Sequence, residues 1–283
     1  MDFLVCSELN PQNQWQLELM IESFRSLNAQ DRLVVCFTTN DGNNIMPEMT
    51  KNLSSHQNTM LMPDFGTIKG YHGFNKLFGI ITAMREKRVG KRFVLLEPDM
   101  VICKVPKVPD NNRFCAYQTD SSFTIDMVDG ESGLLEIVNS DLGSFQKKNW
   151  PMASTPMIFT NFPVEFFEEL VSLMEAYVYK QYLKNDKVWD GTTNAIFNLG
   201  LHRHIGEYNP YPIYDLSCSM QANKLGCFIN YRDGFMPMFH KSMFPYTPPN
   251  FFSLGNPFKV LSQYAPTQAF QYMSALAQLY LQA

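Results

Sequence analysis

The stretch RFVLLEPDMVIC, residues 92–103, decides how this chain is read. Phe93, Val94, Leu95 and Leu96 form a continuous apolar run, the pattern of a strand buried on both faces of a parallel sheet. Glu97, Pro98 and Asp99 follow at once, two carboxylates one residue apart with a proline fixing the turn between them. Met100 to Cys103 then reads as a second short strand. A carboxylate pair in that place can hold a hard divalent cation, directly and through water. An ion held there would neutralise negative charge building on a departing group such as a diphosphate.

Outward from this stretch, strands and helices alternate. DFLVCSE (2–8) reads as a strand, followed by a helix with Leu17, Met20, Ile21, Phe24 and Leu27 on one face. RLVVCFTT (32–39) is a second buried strand ending at the turn-rich NDGNN, and NTMLMP (58–63) a weaker one. From Gly73 to about Arg88, helical spacing puts Phe74, Leu77, Phe78, Ile81 and Met84 together. The order predicts βαβ units, an α/β fold with a mostly parallel sheet flanked by helices, and ligand binding beyond the carboxyl ends of its strands. In the second half, NRFCAYQT (112–119) reads as a strand and 120–150, rich in Asp, Gly and Ser, as an irregular excursion. A strand ends the stretch 144–160, Pro163 opens a helix to about Lys184, and a shorter helix starts after Asp190. Loops and short strands are expected over 208–260 and an amphipathic helix over 269–282. Residues 1–245 are taken as one domain, with 246–283 a C-terminal extension whose helix packs on it.

Composition narrows the function classes. Hydrophobic residues make up 45% and charged residues 18% of 283, and 23 Phe with 13 Tyr demand burial, which excludes a disordered chain. A formal net charge of −4 argues against general adhesion to nucleic acid or to an anionic membrane. One stretch, Arg85 to Arg113, is locally basic; it reads either as a solvated rim or as a surface that steers an anionic ligand. None of the six cysteines forms a C-x-x-C pair, so buried thiols are expected rather than disulfides or zinc ligands. No window is apolar for a membrane-spanning length, and Met1 leads directly into a core strand. The expected compartment is the cytoplasm, of a host cell if the protein is viral.

FVLLEPDMVICKVP resembles the E-P-D segment of the plant hydroxyproline O-arabinosyltransferase and peptidyl-serine galactosyltransferase group, within the GT-A-type glycosyltransferases. HGFNKLFGIITAM (72–84) is similar to the Asn-bearing helix before that strand. STPMIFT (154–160), WDGTTNAIFNLGLH (189–202) and FMPMFHKS (235–242) resemble later segments in the same order. The resemblance implies a GT-A-like nucleotide-binding sheet with an irregular C-terminal acceptor side. It implies an Mn2+ (or Mg2+) cofactor and a nucleotide-sugar donor, a UDP-sugar foremost. It gives Glu97 and Asp99 to metal and ribose, makes His240 the late metal ligand, and puts Glu8 where the nucleotide is first touched. The chain departs from that group in 120–150 and 250–283.

The remaining candidates each carry two readings. Asn75 and Lys76, near a helix start at the same sheet edge, suit phosphate oxygens or simple capping and solvation. Asp41, in the turn after the second strand, suits a base or ribose, or is an ordinary turn residue. Asp190 is a carboxylate that orients the acceptor hydroxyl or takes its proton, or an N-cap, or both. Trp150 and Trp189 suit stacking on the acceptor, or the core. His202 and His204, two residues apart on a helix, face apart and are set aside. The function expected is glycosyl transfer to a hydroxyl, with a hydroxymethylated base in phage DNA or a protein or glycan hydroxyl as acceptor. Nucleotidyl transfer on a related α/β fold is the alternative, against which SELNPQNQ offers no Gly-rich basic loop. A non-catalytic viral structural or binding protein fits a βαβ first half poorly.

Overall fold

The computed structural model describes residues 1–8, 11–39, 56–108, 114–119, 128–138, 152–189, 191–205, 211–212, 216–219, 222, 224–230 and 267–282. Its centre is β1 (Asp2–Glu8), which lies between β2 (Leu33–Thr39) and β4 (Arg92–Leu96) and runs parallel to both. β3 (Thr59–Pro63) extends the parallel set beyond β2. On the other side, β7 (Met152–Thr160) pairs antiparallel with both β4 and β6 (Phe114–Thr119), and β8 (Tyr211–Pro212) is parallel to β6. The sheet order is β3-β2-β1-β4-β7-β6-β8, so the mostly parallel α/β sheet expected from the apolar runs is present.

Strand alternation divides the core into two layers, because successive side chains point to opposite faces. Leu4, Cys6, Val34, Cys36, Phe93 and Leu95 face one layer; Phe3, Val5, Leu33, Val35, Val94 and Leu96 face the other. The first is covered by α3 (Gly73–Arg85), α5 (Val164–Asn185) and α6 (Thr192–Ile205). At its centre Phe159 is fully buried, its ring 5.2–5.8 Å from those of Phe93, Phe114, Phe162, Phe167 and Phe197. The second layer is covered by α1 (Pro11–Ser26) through Leu17, Met20, Ile21 and Phe24.

After the E-P-D turn the chain leaves the main sheet. β5 (Met100–Ile102) pairs antiparallel with β10 (Phe228–Asn230), which pairs with β9 (Ser217–Ser219) in a separate small sheet. α7 (Gln268–Gln282) packs on α1, and the Tyr272 hydroxyl donates to the Ile102 carbonyl at 2.6 Å, tying the terminal helix to β5.

Three details differ from the sequence expectation. α3 stops at Arg85, because Lys87 takes a left-handed φ of 58° and turns the chain before Arg88. A short helix, α2 (Phe65–Lys69), precedes it. The excursion 120–150 contains α4 (Gly130–Val138), whose Leu134, Ile137 and Val138 are buried at i, i+3, i+4 spacing. Two glycines and a serine in its first four residues hid it, being weak helix formers. All six cysteines are free thiols, and Cys6, Cys36, Cys115 and Cys227 are buried. No described helix is long and apolar enough to cross a membrane.

Candidate functional site

β1, β2 and β3 step outward in one direction while β4 pairs on the opposite side of β1, so the connections part between the carboxyl ends of β1 and β4. In an open α/β sheet that divergence leaves a crevice for ligands. A cleft of about 460 Å³ lies there. Its lining includes Ser7 and Glu8 from β1, Tyr71 to Gly73, Asn75 and Lys76 from the start of α3, Glu97 to Asp99 after β4, and Thr193 and Asn194 from α6.

Glu97 follows the last residue of β4 and is half-buried. The Lys76 ammonium, one helical turn into α3, forms an ion pair with Glu97 Oε1, and the Thr155 hydroxyl donates to the same oxygen at 3.3 Å. Asp99 is buried at 3% exposure. The pair suits a divalent cation by donor chemistry, and Glu97 already stabilises one positive charge, that of Lys76. Beneath them, hydrogen bonding with the Cys36 thiol and burial push the Cys6 thiol well above its usual range, so it stays neutral and is no nucleophile. Gly79 lets α3 lie this close to β1: a Cβ there would collide with Cys6 Sγ.

The start of α3 is built differently from the expectation. The helix opens at Gly73, and the N–H groups of Phe74 and Asn75 already donate to the carbonyls of Tyr71 and His72. Asn75 is 4% exposed and braces the chain: its Nδ2 donates to Asp64 Oδ1 at 2.7 Å, and its Oδ1 accepts from the Gly66 N–H at 2.9 Å. Its amide therefore organises the cleft wall, whatever else it touches. The Tyr71 hydroxyl lies 3.1 Å from Thr193 Oγ1 and accepts from the Thr193 N–H at 3.3 Å, linking the segment before α3 to α6.

Two residues absent from the sequence reading join the site. Glu8, Asp64 and His72 bring one ligand atom each within 4.8 Å of one another; among the described residues they are the cluster suited to a metal ion. His72 Nδ1 is in contact with Glu8 Oε1. A signal for Asp64 existed: it directly follows the apolar MLMP of β3, as Glu97 follows β4. His72 stands immediately before Gly73, where the helical spacing begins.

Trp189 is partly buried against the first core layer, and its ring fills the space a side chain at Gly191 would need. The backbone N–H of Trp189 donates to Gln181 Oε1 at 2.7 Å, and Gln181 Nε2 donates to Thr192 Oγ1 at 2.6 Å, so a buried glutamine fixes the approach to α6. Trp189 packs there and does not line the cleft. Asp41, Trp150, Asp190 and His240 lie outside the described residues.

Fold and site together define an α/β protein with an acidic, ligand-sized cleft at its topological switch point. The chain matches no protein-family model and no curated protein. Among solved structures it is similar to the apo WbbM bifunctional glycosyltransferase, at 12% identity and a TM-score of 0.46. That match covers 84% of this chain and 46% of the other, so this chain spans about half of its length. It is also similar to the galactosyltransferase LgtC in complex with donor and acceptor sugar analogues, at 9% identity and TM-score 0.44 over 90% and 95% of the two chains. A third is the apo glycosyltransferase GlyE of Streptococcus pneumoniae, at 9% identity and TM-score 0.42 over 83% and 55%.

Proposed function

We propose that this protein is a metal-dependent glycosyltransferase that moves a sugar from a nucleotide-sugar donor, a UDP-sugar foremost, to a hydroxyl acceptor. The observation that carries the reading is the arrival of Glu97 and Asp99, with Lys76 paired to the first, in the cleft between the carboxyl ends of β1 and β4. The resemblance of FVLLEPDMVICKVP to the E-P-D segment of the plant arabinosyltransferase and galactosyltransferase group supports it from the sequence side.

In this mechanism Glu97 and Asp99 would hold the cation, with His240 as a late imidazole ligand. When bound, Mn2+ or Mg2+ supplies charge neutralisation to the departing nucleoside diphosphate. Lys76 leaves Glu97 and turns its ammonium to the phosphate oxygens, while Asp41 holds the nucleoside and Glu8, at the end of β1, faces the same end of the donor. Asp190 orients the acceptor hydroxyl and Trp150 bounds the acceptor side, while Trp189, packed on the core, holds the approach to α6. Holding both substrates in one cleft converts a bimolecular step into an effectively unimolecular one. The acceptor is a hydroxymethylated base in phage DNA, or a protein or glycan hydroxyl. Affinity for duplex DNA that falls steeply with salt selects the first.

Thermal-shift screening of nucleotide sugars with and without Mn2+ tests the reading. At least one nucleoside diphosphate sugar raises the melting temperature of the wild type only when the metal is present, by mass action on the folded state. Asp99→Ala keeps the fold and loses the response. A donor that stabilises the wild type equally in a chelator and in Mn2+ refutes the metal-dependent mechanism.

A further inference from the structure

We propose that Glu8, Asp64 and His72 form a second divalent-cation site in the cleft, separate from the E-P-D carboxylates. Three elements supply the donors: the last residue of β1, the residue after β3, and the residue before α3. Their ligand atoms lie within 4.8 Å of one another. A first-row ion bonded at about 2.0–2.2 Å holds its donors roughly 3–4 Å apart, so the widest pair has to close by about 1–2 Å while His72 and Glu8, now in contact, part to admit the ion. His72, whose side chain is 69% exposed, is free to make that movement and opens the path from solvent.

The framework is set before any ion arrives. Asp64 is buried, and the Asn75 amide donates to its Oδ1 at 2.7 Å, as outer-shell groups orient ligating carboxylates. Gly66 presses against the backbone of His72, where a Cβ would lie 2.7 Å from His72 Cα, so the segment carrying Asp64 and the one carrying His72 meet without a gap. Two carboxylate oxygens and one imidazole nitrogen favour Mn2+ or Zn2+ over Mg2+ or Ca2+. The imidazole would ligate through the lone pair of one ring nitrogen, in place of its contact with Glu8. Three protein donors leave coordination positions open towards the cleft for water or an anionic oxygen. The E-P-D pair is distinct: Lys76 and Thr155 occupy Glu97.

The test uses the full chain with Mn2+ alone and no nucleotide, reading free Mn2+ by electron paramagnetic resonance and the bound ion by spin-echo modulation. The wild type binds Mn2+ with a nitrogen coupling from one imidazole. His72→Ala removes that coupling and weakens binding at least tenfold, Glu8→Gln weakens it similarly, and Asp99→Asn leaves both signals intact. Binding and nitrogen coupling unchanged in His72→Ala overturn the site. Binding lost in Asp99→Asn and retained in His72→Ala also overturns it, while leaving the proposed transferase metal standing. A folded wild type that takes up no Mn2+ at millimolar concentration overturns this site alone, because the E-P-D ion is expected with the donor diphosphate.

Discussion

Gly79 offers the most direct test of how the cleft is held. α3 carries Asn75 and Lys76 to the site, and it can lie on β1 only because position 79 has no side chain. Gly79→Ala changes two things. Alanine in a helix interior gains about 0.5–1 kcal/mol over glycine. Against that, the new Cβ collides with Cys6 Sγ, which is walled in by the core and by the Cys36 thiol. Forcing a methyl into such packing costs about 1–3 kcal/mol. The balance is a net loss of up to about 2.5 kcal/mol. Deleting the sulfur should reverse the sign. In a Cys6→Ala background the nearest remaining atom at that position is the residue 6 Cβ at 3.3 Å, tight but tolerable. There Gly79→Ala should stabilise by its propensity gain, which gives a favourable coupling of about 1–3 kcal/mol between the two sites. Urea unfolding of the wild type, both single variants and the double variant measures this cycle. Gly79→Ala raising the stability of the wild type, or the four proteins proving additive within about 0.5 kcal/mol, refutes the close helix–sheet contact.

The Lys76–Glu97 pair and the terminal helix give two further outcomes. The two side chains are 13% and 26% exposed, so their coupling should lie between that of a surface pair, up to about 1 kcal/mol, and the roughly 3–5 kcal/mol lost on breaking a buried one. A double-mutant cycle with Lys76→Met and Glu97→Gln should return about 1–2 kcal/mol, and a value near zero would show the pair to be loose. Burial, aided by the neighbouring Cys103, pushes the Tyr272 phenol up to about 12. An acid whose folded pKa is raised contributes stability in full below its unfolded value, near 10, and loses it as pH rises to about 12. Unfolding measured across that window should therefore show a stability slope that Tyr272→Phe flattens; an identical slope in both proteins would contradict the burial of that hydroxyl at the Ile102 carbonyl.

How far the sequence could be read depended on whether the information was local. β1, β2 and β4 announced themselves because strands buried on both faces need apolar residues at every position, and that pattern survives in DFLVCSE, LVVCFTT and RFVLL. The carboxyl-end rule then located Glu8, Glu97 and Asp99 at one edge before any coordinates. α4 escaped, since its first turn is made of weak helix formers and only contacts with distant elements bury Leu134 and Ile137. The role of Asn75 escaped for a related reason. Its partners, Asp64 and Gly66, are brought to it by the packing of α2 on α3, which no periodicity encodes. His72 and Asp64 likewise become neighbours of Glu8 only through the fold.

The charges gathered in the cleft bear on both proposed ions. Glu8, Glu97 and Asp99 line the crevice and Asp64 stands beside Glu8, four formal negative charges in all; among the described lining residues Lys76 carries the fixed positive charge, which leaves −3 with the imidazole of His72 left out of the count. A nucleotide sugar carries about two more on its diphosphate, and bringing like charges into a partly dehydrated cleft costs several kcal/mol per contact at short range. Lys76 alone cannot offset that, since its one charge is already counted in the −3 whether it faces Glu97 or a phosphate oxygen. One divalent ion at the E-P-D pair takes the formal count from −3 to −1, still hostile to a diphosphate. A second at Glu8, Asp64 and His72 takes it to +1, which attracts one. On this arithmetic an anionic donor and the two cations are thermodynamically linked: each ion should tighten the donor, and the donor each ion, by the same factor. Equal affinity for a nucleoside diphosphate in chelator and in saturating Mn2+ would break that linkage and, with it, the assignment of this cleft to a nucleotide sugar.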